Sequence, residues 1–195
     1  MAFAALVLTA ASTWAASTKT QAAAGLPTHV LDLGGRPVEV LPAAGSAPAV
    51  LVFSRTDCPI ANRYAPELTR LRARFARRGL AFWLVYVDRS EPLDAIRRHA
   101  AEFGKAFGAV RDPDHELVRA ARATVTPEAA VFVGSETGPA LVYRGRIDDR
   151  YVDFGRARAA PTSRDLERVL EALASGATIE RRTTTALGCF ITAPE

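Results

Sequence analysis

Ala49-Val50-Leu51-Val52-Phe53-Ser54-Arg55-Thr56-Asp57-Cys58-Pro59-Ile60-Ala61 is the stretch on which the fold turns. Its first five residues form an unbroken apolar run of strand length, as expected of a strand buried on both faces. Five residues beyond Phe53 comes Cys58, and a helix is predicted to begin there or at Pro59 and to run to about Arg78. Tyr64, Leu68, Leu71 and Phe75 recur at intervals of 4, 3 and 4, one apolar stripe along that helix, and Gly79 stops it. Cys58 thus stands at a strand-to-helix junction. Unpaired N–H groups and a partial positive charge at a helix start favour a thiolate over a thiol. Arg55 and Arg63 are expected to add to that effect and Asp57 to oppose it.

Outward from this unit the pattern repeats. Ala81 to Val87 reads as a second buried strand. Ser90 reads as an N-cap with Pro92 in the first turn, and Leu93, Ile96, Ala100 and Phe103 mark the buried face of the next helix. Gly108 to Arg111 is a short strand, and Asp112-Pro113 opens a helix through about Ala123. Ala129 to Val133 and Ala140 to Tyr143 are strands joined by a turn at Gly138-Pro139. Thr162 and Asp165 resemble a capping box for a last helix carrying Leu166, Val169, Leu170 and Leu173, which Gly176 ends. Upstream, two short alternating runs around Gly34-Gly35 predict a β-hairpin. Strand–helix alternation closed by two adjacent strands calls for an α/β fold: a central mixed sheet with helices on both faces and an N-terminal hairpin.

The chain has 195 residues, 49% of them hydrophobic, which is one domain's worth with an ample core. Its formal net charge of +4 suggests nucleic acid only until the distribution is read. Arg70, Arg72, Arg74, Arg77 and Arg78 fall on one helix among apolar residues and acids, a solvated face without aromatic stacking motifs. Met1 to Ala16 is apolar and uncharged, and Ala22-Ala23-Ala24 offers a cleavage site. Residues 1–24 are therefore expected to be a signal peptide, 25–176 the domain and 177–195 a tail. The protein is expected to be exported, periplasmic or extracellular, with a cytoplasmic location as the alternative. The leading run is too short to span a bilayer, so no stable membrane insertion is expected. The two cysteines, Cys58 and Cys189, allow a single bridge. His29, His99 and His115 have no metal-ligand spacing to one another or to a cysteine, and neither metal nor cofactor is expected.

Cys58-Pro59-Ile60-Ala61 occupies the junction where thioredoxin-like proteins carry Cys-x-x-Cys, and Ala65-Pro66 lies at the offset of a helical Ala-Pro pair in that group. Thr126-Pro127 before a core strand resembles the family's cis-proline, and the extra strand and helix from Gly108 to Ala123 resemble an insertion of peroxiredoxins and exported reductases. The chain resembles the redoxins of the alkyl-hydroperoxide-reductase and thiol-specific-antioxidant type, over about Pro27 to Ser175. The resemblance implies a thioredoxin-like fold, and substrate contacts from Thr126, Pro127, Pro59 and Thr56 beside a reactive Cys58. It implies as partners a protein disulfide or a peroxide, and an external thiol reductant.

The departures shape the chemistry. Ala61 replaces the second cysteine of the motif. Arg55 stands where peroxiredoxins carry Thr, Thr56 comes one place late, and the Arg expected before the strand at Ala129 is absent. The leading expectation is a thiol oxidoreductase in which Cys58 attacks a disulfide or peroxide and Cys189, in a tail of no strong pattern, resolves the product. A one-cysteine peroxidase is the alternative among enzymes. A non-catalytic module holding an extended partner at Thr126-Pro127 is the alternative of another class. The charged run Gly145 to Tyr151 is either an ion-paired loop or part of the frame around the cysteine.

Overall fold

The computed structural model describes residues 30–103 and 107–192. The expected signal peptide and His29 lie outside them. The chain order is β1 (Leu31–Asp32), β2 (Ala49–Ser54), α1 (Pro59–Arg63), α2 (Ala65–Phe75), β3 (Ala81–Tyr86), α3 (Leu93–Glu102), β4 (Gly108–Arg111) and α4 (Glu116–Ala121). There follow β5 (Val125–Thr126), β6 (Glu128–Ser135), β7 (Gly138–Gly145), β8 (Tyr151–Asp153), β9 (Arg156–Ala157), α5 (Asp165–Ala174), β10 (Arg182–Thr183) and β11 (Cys189–Phe190). Seven strands form one sheet in the order β1-β4-β3-β2-β6-β7-β10. β2, β3 and β4 run parallel, and β6 joins β2 antiparallel, so the sheet is mixed. This is the thioredoxin-like α/β architecture expected.

Alternation along β2 divides its side chains between two cores. Val50 and Val52 pack with Leu68, Leu71 and Phe75 of α2, Ile96 of α3 and Leu166, Val169 and Leu170 of α5. Leu51 and Phe53 point the other way, to Leu117, Val118 and Ala121 of α4. β2 is buried throughout because both faces are covered. The arginine-rich face of α2 has a structural partner: Arg70, Arg74 and Arg78, one turn apart, pair with Glu167 and Glu171 of α5.

Several boundaries differ from expectation. The helix after Cys58 is two helices with a 3-10 turn, Ala76–Arg78, at the end. They join at Tyr64 (ψ −6°), and Pro66, which has no N–H for the preceding turn, lies in the first turn of α2. Gly79 does close the unit, at φ 86°. Ser90 does not cap α3: its N–H and hydroxyl both donate to Asp88, and Pro92 takes the cap position. α4 starts three residues beyond Pro113, because His115 is left-handed (φ 54°) and the Asp112 carboxylate accepts the Glu116 and Val118 amides. The Thr162/Asp165 box is not formed, since Thr162 and Ser163 donate to Asp149. The N-terminal hairpin is minimal: Asp32 N–H donates to Arg36 O and Val38 N–H to Val30 O, while β1 pairs antiparallel with β4. β5 and β8 to β11 went unrecognised in the sequence. β10 adds a parallel edge to β7 through Arg182 opposite Tyr143.

Candidate redox site

Cys58 is the N-cap residue of α1 in extended conformation (φ −80°, ψ 108°), and Pro59 follows as the first helical residue. A proline fits there because the N–H it lacks has no helical acceptor. The Asn62 amide donates to Cys58 O at 3.0 Å. Cys58 is 0% exposed, walled by Ile60, Ala61 and the sheet. Its Sγ lies 3.0 Å from Thr126 O, which accepts the S–H when the thiol is protonated. The Thr126–Pro127 bond is cis, as the resemblance implied, and both residues are buried.

The decisive contact comes from the far end of the chain. Cys189 Sγ lies 2.7 Å from Cys58 Sγ, across 131 positions of sequence, and both cysteines are free. The tail reaches this point by pairing β11 antiparallel with β5, Cys189 opposite Thr126 and Phe190 opposite Val125. Ile191 N–H extends the ladder by donating to Thr124 O at 3.0 Å. Gly188 makes the approach possible, since a Cβ there would stand 2.1 Å from Thr126 O and 2.6 Å from its carbonyl carbon. The tail backbone lies directly on the peptide before the cis-proline.

The two thiols are driven apart. Burial pushes Cys58 up, but hydrogen bonds, that with Cys189 foremost and one to the Ala61 amide among the others, outweigh it and hold the thiol below its ordinary value. Cys189 is pushed up to about 11, by burial first and then by its hydrogen bond to Cys58. Within the pair the negative charge belongs on Cys58.

The arginines expected to stabilise the thiolate are not among the main influences on Cys58 itself. Arg55 pairs with Asp57 at 3.0 Å and Asp88 at 3.2 Å, and its charge is felt at Cys189. Arg63 sits on the exposed side of α1. The hydrogen-bonding groups named above take the role assigned to them. Of the four expected substrate contacts, Thr126 lies at the Cys58 sulfur, Pro127 follows it in the cis peptide, and Pro59, next to Cys58 in the chain, is exposed. Thr56 instead turns inward, and both its N–H and its hydroxyl donate to Glu91 Oε1, at 2.7 and 2.9 Å.

Behind the cysteine loop runs a polar chain that sequence reasoning missed. Asn62 Nδ2 donates to Thr56 O, which orients the amide. Asn62 Oδ1 then accepts from His99 Nε2 at 2.7 Å, so Nδ1 is left to accept from Tyr86 O–H at 2.8 Å. Burial holds His99 below its ordinary pKa, in keeping with this neutral tautomer. Glu91 is raised, chiefly by burial, against the two Thr56 hydrogen bonds. On the other flank, Tyr64 O–H donates to Asp148 Oδ1 at 2.5 Å and its ring meets Tyr151 at 5.4 Å. The charged loop from Gly145 is ion-paired, Arg146 to Asp165 and Asp149 to Arg158, and it lines a cleft with Pro127 and Tyr64. The Asn62, His99 and Glu91 connections span three separate elements and leave no local signal. Gly188-Cys189 did carry one, a glycine beside the second thiol. Among the described residues, no three His, Cys, Asp or Glu side chains gather as a metal site would require.

The thioredoxin-like sheet thus presents a buried cysteine against a cis-proline, with a second thiol beside it. The model of the AhpC/TSA family matches residues 20–139, more than half the chain, and the chain belongs to that family. Among solved structures it is similar to an uncharacterized conserved protein from Geobacillus kaustophilus: 23% identity, 85% of this chain and 88% of that one covered, TM-score 0.69. It is also similar to a hypothetical protein from Sinorhizobium meliloti 1021, with 22% identity, coverage of 84% and 89%, and a TM-score of 0.67. The thioredoxin domain of a thiol-disulfide oxidoreductase from Bacteroides vulgatus shares the fold at 17% identity, with coverage of 74% and 90% and a TM-score of 0.50. No curated protein matches.

Proposed function

We propose that this protein is a thiol–disulfide oxidoreductase that cycles between a Cys58/Cys189 dithiol and a Cys58–Cys189 disulfide. The observation that carries the reading is the 2.7 Å approach of the two sulfurs, held by the β11–β5 ladder. Cys58 is the nucleophile. With the tail displaced, its thiolate attacks a substrate disulfide, one substrate sulfur leaves as a thiolate, and a mixed disulfide forms on Cys58. Cys189 then returns, loses its proton and attacks Cys58 Sγ, releasing the second substrate thiolate. Ala61 leaves no partner within the helical turn, and the tail supplies one instead.

Thr126 and Pro127 offer an extended substrate the peptide edge that β11 otherwise occupies, with Pro59 at the rim. A protein disulfide is favoured over a peroxide as substrate, because the Thr56 hydroxyl is committed to Glu91 and the Arg55 guanidinium to Asp57 and Asp88. The proposed setting is an oxidising compartment reached by export, on the strength of the apolar leader and its Ala-x-Ala site. No described helix is long and apolar enough to cross a membrane. Non-reducing peptide mapping of oxidised protein tests the cycle. A Cys58–Cys189 peptide and loss of turnover in Cys189→Ser are the expected results; absence of that peptide with normal turnover in the variant would overturn it.

A further inference from the structure

The docked tail records what the place beside Cys58 accepts, residue by residue. Leu187 lines the cleft formed by Tyr64, Pro127, Ile147 and Tyr151 and is half-buried against the core that holds α2 and α5. Gly188 is buried against the peptide before the cis-proline. A Cβ added there would stand 2.1 Å from Thr126 O, 2.6 Å from its carbonyl carbon and 3.1 Å from Pro127 N. Its φ is not positive, so the demand is for space and not for a backbone that only glycine adopts. The obstacle is itself backbone, and Glu128 Oε2 ties down the same turn by accepting the Thr124 amide at 2.8 Å. Cys189 stands opposite Thr126, and Phe190 stands opposite Val125 but is 72% exposed. Ile191, its N–H on Thr124 O, packs against the other core, which holds Leu51 and Phe53.

We infer, resting on the cycle above, that the preferred substrate is an extended protein segment of the pattern apolar–Gly–Cys–any–apolar, and that the tail is a built-in copy of it. Cys58 is wholly buried, and its Sγ lies 3.0 Å from Thr126 O. A substrate sulfur must therefore come to where Cys189 Sγ now stands, 2.7 Å from Cys58 Sγ, with its backbone on the β5 edge. There the Cys58 thiolate attacks it, the substrate S–S bond breaks, and its electron pair leaves on the other substrate sulfur.

Selection works by two kinds of physics. Before the cysteine, any side chain meets the Thr126 carbonyl, so segments other than glycine are rejected by repulsion. Two residues to either side, burial of apolar surface decides, because substrate and tail compete for the same ground. A segment that matches the tail regains what the displacement of Leu187 and Ile191 costs; one with polar residues there does not. The position after the cysteine faces water, as Phe190 does, and discriminates little.

The test uses the full chain in its reduced form and blocked peptides of sequence Leu-Gly-Cys-Phe-Ile whose cysteine carries thionitrobenzoate. Release of the coloured thiolate reports attack on the peptide sulfur, and each rate is divided by that of the same peptide with glutathione. Alanine in place of the glycine is expected to slow the reaction about tenfold or more. Serine in place of the leucine or the isoleucine is expected to slow it about fivefold, and serine in place of the phenylalanine hardly at all. Equal normalised rates for the glycine and alanine peptides would overturn the inference and leave the redox cycle standing. Failure of every peptide to modify Cys58, read by peptide mass, would remove the cycle and the inference with it. In Leu187→Ser, whose tail is loosened, all rates should rise while the glycine-to-alanine ratio holds, since Thr126 sets it. A ratio that falls to one in this variant would show that the tail, and not the Thr126 carbonyl, does the selecting, and would overturn the inference.

Discussion

The Cys58 junction and the Cys189 tail face each other across 2.7 Å, yet they are held by different means. Cys58 is set by a six-residue strand buried on both faces and a helix whose stripe is fully packed. Removing a core side chain there, such as Phe75, would cost about 3–5 kcal/mol. Cys189 is set by a two-residue strand, one further backbone hydrogen bond, the fit of one glycine and the partly buried Leu187 and Ile191 on the two cores. Each such bond contributes only about 1 kcal/mol net. The comparison teaches that one half of the site is a rigid scaffold and the other a weakly held arm, a difference suited to a dithiol that must open for substrate and close for resolution.

The sharpest way to break the comparison is to remove each sulfur in turn. Cys58→Ser is expected to abolish disulfide reductase activity. Cys189→Ser is expected to stop the cycle after one event, with Cys58 accumulating as mixed disulfide. Equal residual activity in both variants, measured by turnover and mass, would erase the distinction drawn between them.

Oxidation should next convert the weak arm into a strong one. Closing a loop of 131 positions is expected to raise stability by about 5 kcal/mol in the chain-entropy picture, provided the native geometry is unstrained. Urea unfolding with and without reductant reads the difference, and coincident curves for fully oxidised and fully reduced protein would refute it.

Gly188→Val separates docking from chemistry. The scaffold is untouched, so the melting midpoint of the reduced protein should hardly move, while the rate of intramolecular disulfide formation falls about tenfold or more as the effective concentration of Cys189 drops. A wild-type rate would mean that the tail reaches Cys58 without its ladder.

The pH dependence of thiol reactivity gives a smaller effect with a definite sign. In reduced protein, alkylation of Cys58 should reach half its plateau below the ordinary thiol pKa, and Cys189 should remain unreactive until the pH approaches about 11. Cys189→Ala removes the foremost hydrogen bond on Cys58, so the Cys58 midpoint should move up. A downward shift would show that Cys189 acts mainly by burying its neighbour. The smallest effect is expected at Glu167→Gln on the solvent side of the α2–α5 seam, where partly exposed arginines meet α5. A loss of about 1 kcal/mol or less, with unchanged redox behaviour, is expected from thermal unfolding and turnover.

Much of this molecule is written in local pattern. Val50 to Phe53, the Leu68-Leu71-Phe75 stripe and the Leu166 to Leu173 stripe place the sheet and two of its helices, because periodic apolar residues have only one way to be buried together. Cys58 at the junction was readable because it is tied to an element boundary, and the Thr126–Pro127 peptide through the family resemblance. The helix starts expected at Ser90, Asp112-Pro113 and Thr162 were misplaced where a carboxylate at Asp88, Asp112 or Asp149 claimed the donors first.

By itself, then, the sequence determined the α/β order, the two-faced core and the position of one thiol at the head of a helix. Only the tertiary structure decided what that thiol meets. The docking of Gly188 and Cys189 on Thr126, the inward turn of Thr56 to Glu91 and the line from Asn62 through His99 to Tyr86 all join residues far apart in the chain. Two-residue strands and single hydrogen bonds carry no period for a sequence to display. Their partners are fixed only when the rest of the fold has already met the entropy of bringing the ends together.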